Sequence, residues 1–175
     1  MGGVLQAFDR HLEKVVVALS WVACAIIPLM FTMIVIDVSI RQIGFTPPLF
    51  TSSVVEYALL YLAAFSAPWL VRERGHVAIE ALVTVMPDWM RRPLAKAVYL
   101  VCGAVSFLFT YLSIKLFWDA VLSGELDVRG VDMPYWALFL PLVPAFFLVG
   151  LEFFMYLAGL RSYYSYDLGE VKDGV

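Results

Sequence analysis

The stretch VVVALSWVACAIIPLMFTMIVI, Val15–Ile36, contains 22 residues and no charged side chain. Three similar runs follow: Phe50–Val71, whose one charge is Glu56, then Ala97–Ile114 and Met133–Leu151. A helix of about 20 mostly apolar residues crosses the hydrocarbon core of a bilayer. Because backbone amides in lipid must find partners within their own segment, such runs fold as helices. The sequence therefore predicts an all-α membrane protein with four transmembrane helices.

The composition supports this class. The chain has 175 residues, of which 62% are hydrophobic and 15% are charged. Four spans leave no room for a separate soluble domain, so we expect one integral membrane domain covering residues 1–175. The predicted spans are residues 15–40, 53–73, 94–122 and 134–160.

The basic residues are distributed unevenly between the connections. Nine of the 12 Lys and Arg residues fall in the N-terminal tail, the connection between helices two and three, and the C-terminal tail. The other side has only Arg41 and Arg129, and Lys115 lies inside helix three. Because positively charged loops stay in the cytoplasm, both termini are predicted to be cytoplasmic. The outer connections are then residues 42–52 and 123–132.

The connection between helices two and three carries an amphipathic pattern over residues 77–92. Its apolar residues fall on one helical stripe, and Trp89, Arg91 and Arg92 flank its end. An apolar face beside basic residues fits a membrane surface with anionic headgroups. We therefore predict an interfacial helical arm, and a connection folded onto the helix ends is the alternative.

The outer ends of helices one and two carry a group of charged residues. Asp37 and Arg41 are four residues apart and can pair on one helix face. Ser53-Val-Val-Glu56 has the form of a capping box at the start of helix two. Asp37, Arg41 and Glu56 lie at similar height and form either an outer-interface cluster or a local ion pair beside a helix cap.

Helices two and four carry two further local patterns. Tyr57, Tyr61, Phe65 and Trp69 repeat every four residues along helix two. This aromatic stripe is expected to face lipid, a partner protein or the protein interior. Asp132 and Pro134 indicate the cap and first turn of helix four, and Pro141 and Pro144 should kink that helix.

The spans lack the residues that membrane chemistry requires. Transport and redox sites show as ionisable residues near the bilayer centre, and here every charged residue projects close to one interface. His11 and His76 lie outside the spans, which disfavours a bis-histidine haem. We therefore predict no enzyme activity, no catalytic, metal-binding or cofactor-binding residue, and no nucleic-acid partner.

One segment carries a family resemblance. The sequence Arg72-Glu-Arg74-Gly-His76-Val-Ala-Ile-Glu80, together with four spans and an intervening arm, resembles the small membrane subunit of tripartite ATP-independent periplasmic (TRAP) transporters. The basic residue, His, alternating apolar residues and carboxylate follow that family's pattern, with Glu80 where Asp is common. Pro141-Leu-Val-Pro144 resembles the start of the family's fourth helix but departs from its frequent Pro-x-Gly.

The resemblance implies a supporting role in transport. In this family the small subunit scaffolds a large elevator-type membrane subunit that contains the substrate and sodium sites. A periplasmic binding protein delivers the substrate, commonly an organic acid. The expected location is the cytoplasmic (inner) membrane of a bacterium or archaeon. The alternative is an autonomous four-helix carrier or channel.

The large subunit, the binding protein and membrane phospholipids are therefore the expected partners. The residues predicted to contact a partner or lipid share positions at helix ends or on the aromatic stripe: Asp37, Arg41, Glu56, Tyr57, Tyr61, Phe65, Trp69, Arg72, Arg74, His76, Trp89, Arg91 and Arg92.

Overall fold

The computed structural model describes residues 2–46, 50–73, 88–128 and 132–158 of the chain. The side chains of residues 2–7, 88–92 and 95 lie outside the description as well. Within these ranges the four apolar runs form helices that are long and apolar enough to cross a membrane, which confirms four candidate spans.

The described elements follow the order of the apolar runs. The three long helices are α1 (Gly2–Gln42), α2 (Phe50–Arg72) and α3 (Asp88–Ser123). A short hairpin follows, made of β1 (Leu126–Val128) and β2 (Asp132–Pro134), and two helical pieces complete the fold: α4 (Trp136–Phe139) and α5 (Leu142–Leu157). The 41 residues of α1 extend about 61 Å, roughly twice the thickness of the hydrocarbon core.

Helix α5 lies at the centre of the helix packing. Leu12 and Val16 of α1 pack against Leu148 and Met155 of α5. Beyond α5, α2 packs on one side and α3 on the other, while α1 packs along α2. The helices therefore follow the spatial order α1, α2, α5, α3, with α1 also reaching α5 at one end. We call that end the Arg72 end and the opposite end, which carries β1 and β2, the hairpin end.

Helix α1 contacts its neighbours along one narrow seam. Its buried and half-buried side chains alternate in steps of four and three residues, the heptad spacing of coiled coils. Apart from Asp9 and Ser20, they are Leu12, Val16, Leu19, Ala23, Ile26, Met30, Met33, Asp37 and Ile40. Every other described side chain of α1 is exposed. This helix therefore presents most of its apolar surface outward.

The last apolar run is broken at Pro141, one of the two predicted kink positions, whereas Pro144 lies within the first turn of the helix that follows. Helix α4 ends at Phe139 and α5 begins at Leu142, with Leu140 and Pro141 between them. Pro141 has no amide hydrogen, so the carbonyl of Ala137, four residues earlier, cannot receive the usual helical hydrogen bond. The Tyr61 hydroxyl donates to that carbonyl at 3.0 Å. A side chain from α2 thus replaces the bond that proline removes.

Two local predictions at helix starts are wrong. Asp132 and Pro134 do not begin a helix, because their backbone pairs with Val128 and Leu126 in an antiparallel hairpin. The following helix starts at Trp136. Ser53 does not cap α2, because that helix already begins at Phe50 and Ser53 lies buried within it. For residues 132–134, pairing with β1 replaced the helix start that the cap residues predict.

The predicted interfacial arm lies mostly outside the described residues. Residues 74–87 are among those left out, and residues 88–92 form the first turns of α3. Helix α3 continues through Pro93 without a break.

Candidate functional site: charge clusters at the helix ends

A buried arginine joins three helices at the Arg72 end. Arg72, the last residue of α2, donates from Nη1 to Oε1 of Glu152 on α5 at 2.8 Å. Its Nη2 lies 3.2 Å from Oε2 of Glu13 and 3.7 Å from Oδ1 of Asp9, both on α1. The Arg72 side chain is 7% exposed and that of Glu152 is 0% exposed. We call these four residues the Arg72 cluster.

The Arg72 cluster combines one guanidinium with three carboxylates. The contact to Glu152 is a directed hydrogen bond, whereas Nη2 meets Glu13 and Asp9 as ion pairs without a hydrogen bond of good geometry. A buried ion costs several kcal/mol of desolvation unless a partner compensates it. Arg72 and Glu152 therefore require each other, and the two acids of α1 add further compensation from the exposed side.

A tyrosine completes this end of α2. The buried Tyr156 hydroxyl of α5 lies 3.2 Å from the carbonyl oxygen of Val71 and 3.1 Å from that of Arg72. These carbonyls belong to the last turn of α2, where no later amide in the helix can reach them. Tyr156 also stacks on Tyr99 of α3, with ring centroids 5.5 Å apart. Contacts at the Arg72 end thus join α1, α2, α3 and α5.

Sequence reasoning found Arg72 but missed its partner. The sequence predicts Arg72 as a partner or lipid contact and gives no specific role to Glu152. A signal was present, because an acid within an apolar span demands a compensating group. Asp9 and Glu13 lie one helical turn apart just before Val16. These two acids also indicate that a basic group lies near this end of helix α1.

At the hairpin end, the predicted ion pair is confirmed. Arg41 Nε donates to Asp37 Oδ2 at 2.8 Å, with Arg41 58% exposed and Asp37 13% exposed. Asp37 lies on the seam that α1 presents to α2. Glu56 is exposed on α2, and its membership of a three-residue cluster stays a prediction.

The aromatic stripe of α2 is used largely inside the protein. Tyr57 is buried, and its hydroxyl lies 3.4 Å from Asp127 Oδ2 of β1. Tyr61 bonds to Ala137 and meets the ring of Phe65 edge to face at 5.6 Å. Trp69, at the other end of the stripe, is exposed. The stripe therefore holds the hairpin and α4 against α2.

Five predicted contact residues fall outside this description. Arg74 and His76 lie outside the described residues, and the side chains of Trp89, Arg91 and Arg92 are also left out.

The middle of α3 contains buried hydroxyl groups. Ser106 donates to the carbonyl of Cys102 at 2.7 Å, and Thr110 donates to that of Ser106 at 2.9 Å. Each bond closes within one turn of the same helix, so these donors are already satisfied. In the described part of α3, Ser106 and Thr110 therefore offer no free donor to a passing solute.

Comparison with known proteins decides the family. Residues 30–161 match the family described as "Tripartite ATP-independent periplasmic transporters, DctQ component". This chain belongs to the DctQ family of TRAP transporters. The match confirms the resemblance drawn from residues 72–80 and 141–144, and it makes the protein the small, multi-pass membrane component of such a transporter.

Part of this chain is similar to part of a longer protein. The sialic acid TRAP transporter permease protein SiaT of Haemophilus influenzae (strain 86-028NP) is 24% identical over 117 residues. These residues cover 67% of this chain and 19% of that protein, so the chain spans about a fifth of the relative's length. No solved structure matches this chain.

The DctQ match includes only part of the Arg72 cluster. It begins at Met30, inside α1, and extends beyond the end of α5. Arg72 and Glu152 lie within it, whereas Asp9 and Glu13 precede it. The fully buried half of the cluster is therefore the half that lies within the family match.

Proposed function

We propose that this DctQ protein is the non-catalytic small subunit of a sodium-coupled secondary TRAP transporter. It scaffolds the large elevator-type subunit during uptake of an organic acid that a periplasmic binding protein delivers. It lies in the cytoplasmic membrane with both termini in the cytoplasm, so the Arg72 end faces inward and the hairpin end faces the periplasm.

One observation carries the scaffold role: charge is confined to the ends of the helices. Residues 15–36, 57–71, 97–114 and 133–151 contain no Asp, Glu, Lys, Arg or His. Coupled transport in a membrane normally uses ionisable or broken-helix sites near the midplane. The buried charges that are described, Arg72 and Glu152, neutralise each other at one end. A chain with these properties is better suited to hold another subunit in place than to transport a solute itself.

Helix α1 is the surface that we propose for the large subunit. It touches the rest of the described chain along one seam, and Trp21 and Phe31 on its outward side are 72% and 68% exposed. Interfaces between membrane helices depend on close packing over an extended apolar face. Helix α2 should offer the large subunit a smaller surface than its aromatic stripe suggests, because Tyr57 and Tyr61 already make contacts within this protein.

The SiaT relative supports the pairing with a permease. That protein's name describes a permease, and the region similar to this chain is about a fifth of its length. If a small component and a much larger permease were joined in one chain, the small component would account for about this fraction of its length. The same two parts as separate chains would have to bind each other.

Reconstituted transport tests the proposal against an autonomous carrier. Proteoliposomes would contain this chain alone, the large subunit alone, or both, with a sodium gradient and the binding protein loaded with a radiolabelled organic acid. The scaffold role predicts uptake only when both subunits are present. Uptake by this chain alone, at a rate equal to that of the pair, would establish the carrier alternative.

A further inference from the structure

An apolar groove lies between α2 and α3, with α5 as its floor. Its walls include Ala67 and Leu70 from α2, Val105 and Phe109 from α3, and Val149 and Phe153 from α5. Its volume is about 380 Å³, within the range of pockets that hold small ligands. The groove forms because α2 and α3 each pack on α5.

The lining accepts only an apolar occupant. Among the described residues that line the groove, Ser106 is the one with a hydroxyl, and this hydroxyl already donates to the carbonyl of Cys102. All these residues belong to helices that are long enough to span a membrane. At this depth the available apolar ligand is a hydrocarbon chain.

Three basic residues of α3 precede the residues that line the groove. Arg91, Arg92 and Lys96 all fall in the first turns of α3. Arg91 precedes Cys102 by 11 residues and Val105 by 14, so the helical register places it on the same stripe of α3. Arg72 is already paired with three carboxylates, and the exposed acid Glu73 follows it on α2. Among the described residues, the excess positive charge at the Arg72 end therefore comes from α3.

The spacing fits a single phospholipid. Along α3, Arg91 precedes Cys102, the first residue of α3 that lines the groove, by about 16 Å and Phe109, the last, by about 27 Å. A headgroup layer is about 5–7 Å thick, and the hydrocarbon of one leaflet is about 15 Å. A phosphate at the level of Arg91 would thus place an acyl chain alongside the half of the groove nearer to Arg91, as far as about Val105.

We propose that this groove binds an acyl chain of an anionic phospholipid whose phosphate lies at the level of Arg91. The lipid fills the space between α2 and α3 and fixes their separation around α5. This site requires only that the chain lies in a membrane. The lipid site and the scaffold role can therefore fail independently.

Native mass spectrometry of the full chain tests the site. The chain is placed in nanodiscs of equal parts dioleoyl phosphatidylglycerol and dioleoyl phosphatidylcholine, then released with its retained lipids. We expect one retained phosphatidylglycerol, at least threefold enriched over phosphatidylcholine. Arg91→Gln should keep a lipid but return the ratio to that of the nanodisc.

Two tryptophan variants on α3 separate the groove from the general surface. Val105→Trp fills the groove and should lower lipid occupancy at least fivefold. Leu108→Trp is the matched control, because Leu108 is exposed but does not line the groove. Should Val105→Trp fail to give a monodisperse helical protein, Ala67→Phe fills the same space from α2.

Any of three results would reject the proposal that the groove binds a lipid. The wild-type chain could retain no lipid, the two tryptophan variants could retain equal amounts of lipid, or the retained lipid could show no headgroup preference. A photo-crosslinker at position 105 that joins the large permease in the intact complex would assign the groove to a protein helix and equally reject the lipid.

Discussion

Arg72 and Glu152 place opposite charges where little of either side chain reaches solvent. Removing Arg72 leaves Glu152 buried without its compensating charge, so we expect Arg72→Ala to lower the free energy of unfolding by about 3–5 kcal/mol. The double variant Arg72→Met with Glu152→Met should recover most of that loss, because an apolar pair of similar size needs no compensation.

Thermal unfolding in mild detergent, followed by circular dichroism, measures these changes. Arg41→Ala is the control, because the Arg41 side chain is 58% exposed, and an ion pair to such a solvent-exposed group contributes about 0–1 kcal/mol. Equal losses for Arg72→Ala and Arg41→Ala would refute the structural importance of the Arg72 cluster.

Tyr61 provides a second residue-scale prediction. Its hydroxyl serves the Ala137 carbonyl that Pro141 leaves without a helical donor. Tyr61→Phe should therefore lower the free energy of unfolding by about 1 kcal/mol, the usual contribution of an interhelical hydrogen bond in a membrane protein. Pro141→Ala restores an amide donor, so the same change made in that background should cost less. A double-mutant cycle measures this coupling, and additive effects would contradict it.

At the scale of elements, α3 and α5 pack through two glycines with different surroundings. A Cβ at Gly103 would lie 3.6 Å from Phe153, whereas a Cβ at Gly150 would lie 3.1 Å from the ring of Phe107. Gly103→Ala should stabilise the helix by about 0.5–1 kcal/mol because alanine restricts the unfolded chain. Gly150→Ala should be less stable than Gly103→Ala by about 1 kcal/mol, since Phe107 must move.

The same unfolding assay compares the two alanine variants. Phe107→Leu should rescue Gly150→Ala and leave Gly103→Ala unchanged, because it removes the ring that the new methyl group meets. Equal stability of the two glycine variants would show that the α3–α5 contact is looser than described.

Sequence patterns predicted the elements better than their partners. The apolar runs located four helices, and a spacing of four residues gave the Asp37–Arg41 pair. The hairpin was missed because its backbone pairing joins residues 126–128 to residues 132–134, which the local helix signals at Asp132 do not report. The contact between Arg72 and Glu152 joins residues 80 positions apart, and periodicity within either helix does not specify it.

At the scale of the whole molecule, the proposed orientation makes a direct prediction. Both termini should be cytoplasmic, because nine of the 12 basic residues lie on that side. Alkaline phosphatase fused after residue 130 should be active, and the same enzyme fused after residue 175 should be inactive. The reverse pattern would place the Arg72 end in the periplasm and reject the orientation.

The outward face of α1 makes a second whole-molecule prediction. Replacing Trp21 and Phe31 by alanine should weaken the complex with the large subunit, because both side chains lie on the exposed side of α1, outside the seam that joins α1 to α2. The matched control changes Leu108 and Tyr111 on α3, which are also exposed. Recovery of the large subunit after affinity purification compares them. A loss confined to the α3 variant would assign the interface to the opposite side of the molecule.

Purification of the tagged chain from its native membranes in mild detergent, with mass spectrometry of the proteins that accompany it, tests the central claim most directly. If the chain is a small TRAP subunit, we expect it to be recovered with one large multi-span permease in near-equal amount. A chain recovered alone, or only with copies of itself, would contradict the scaffold role.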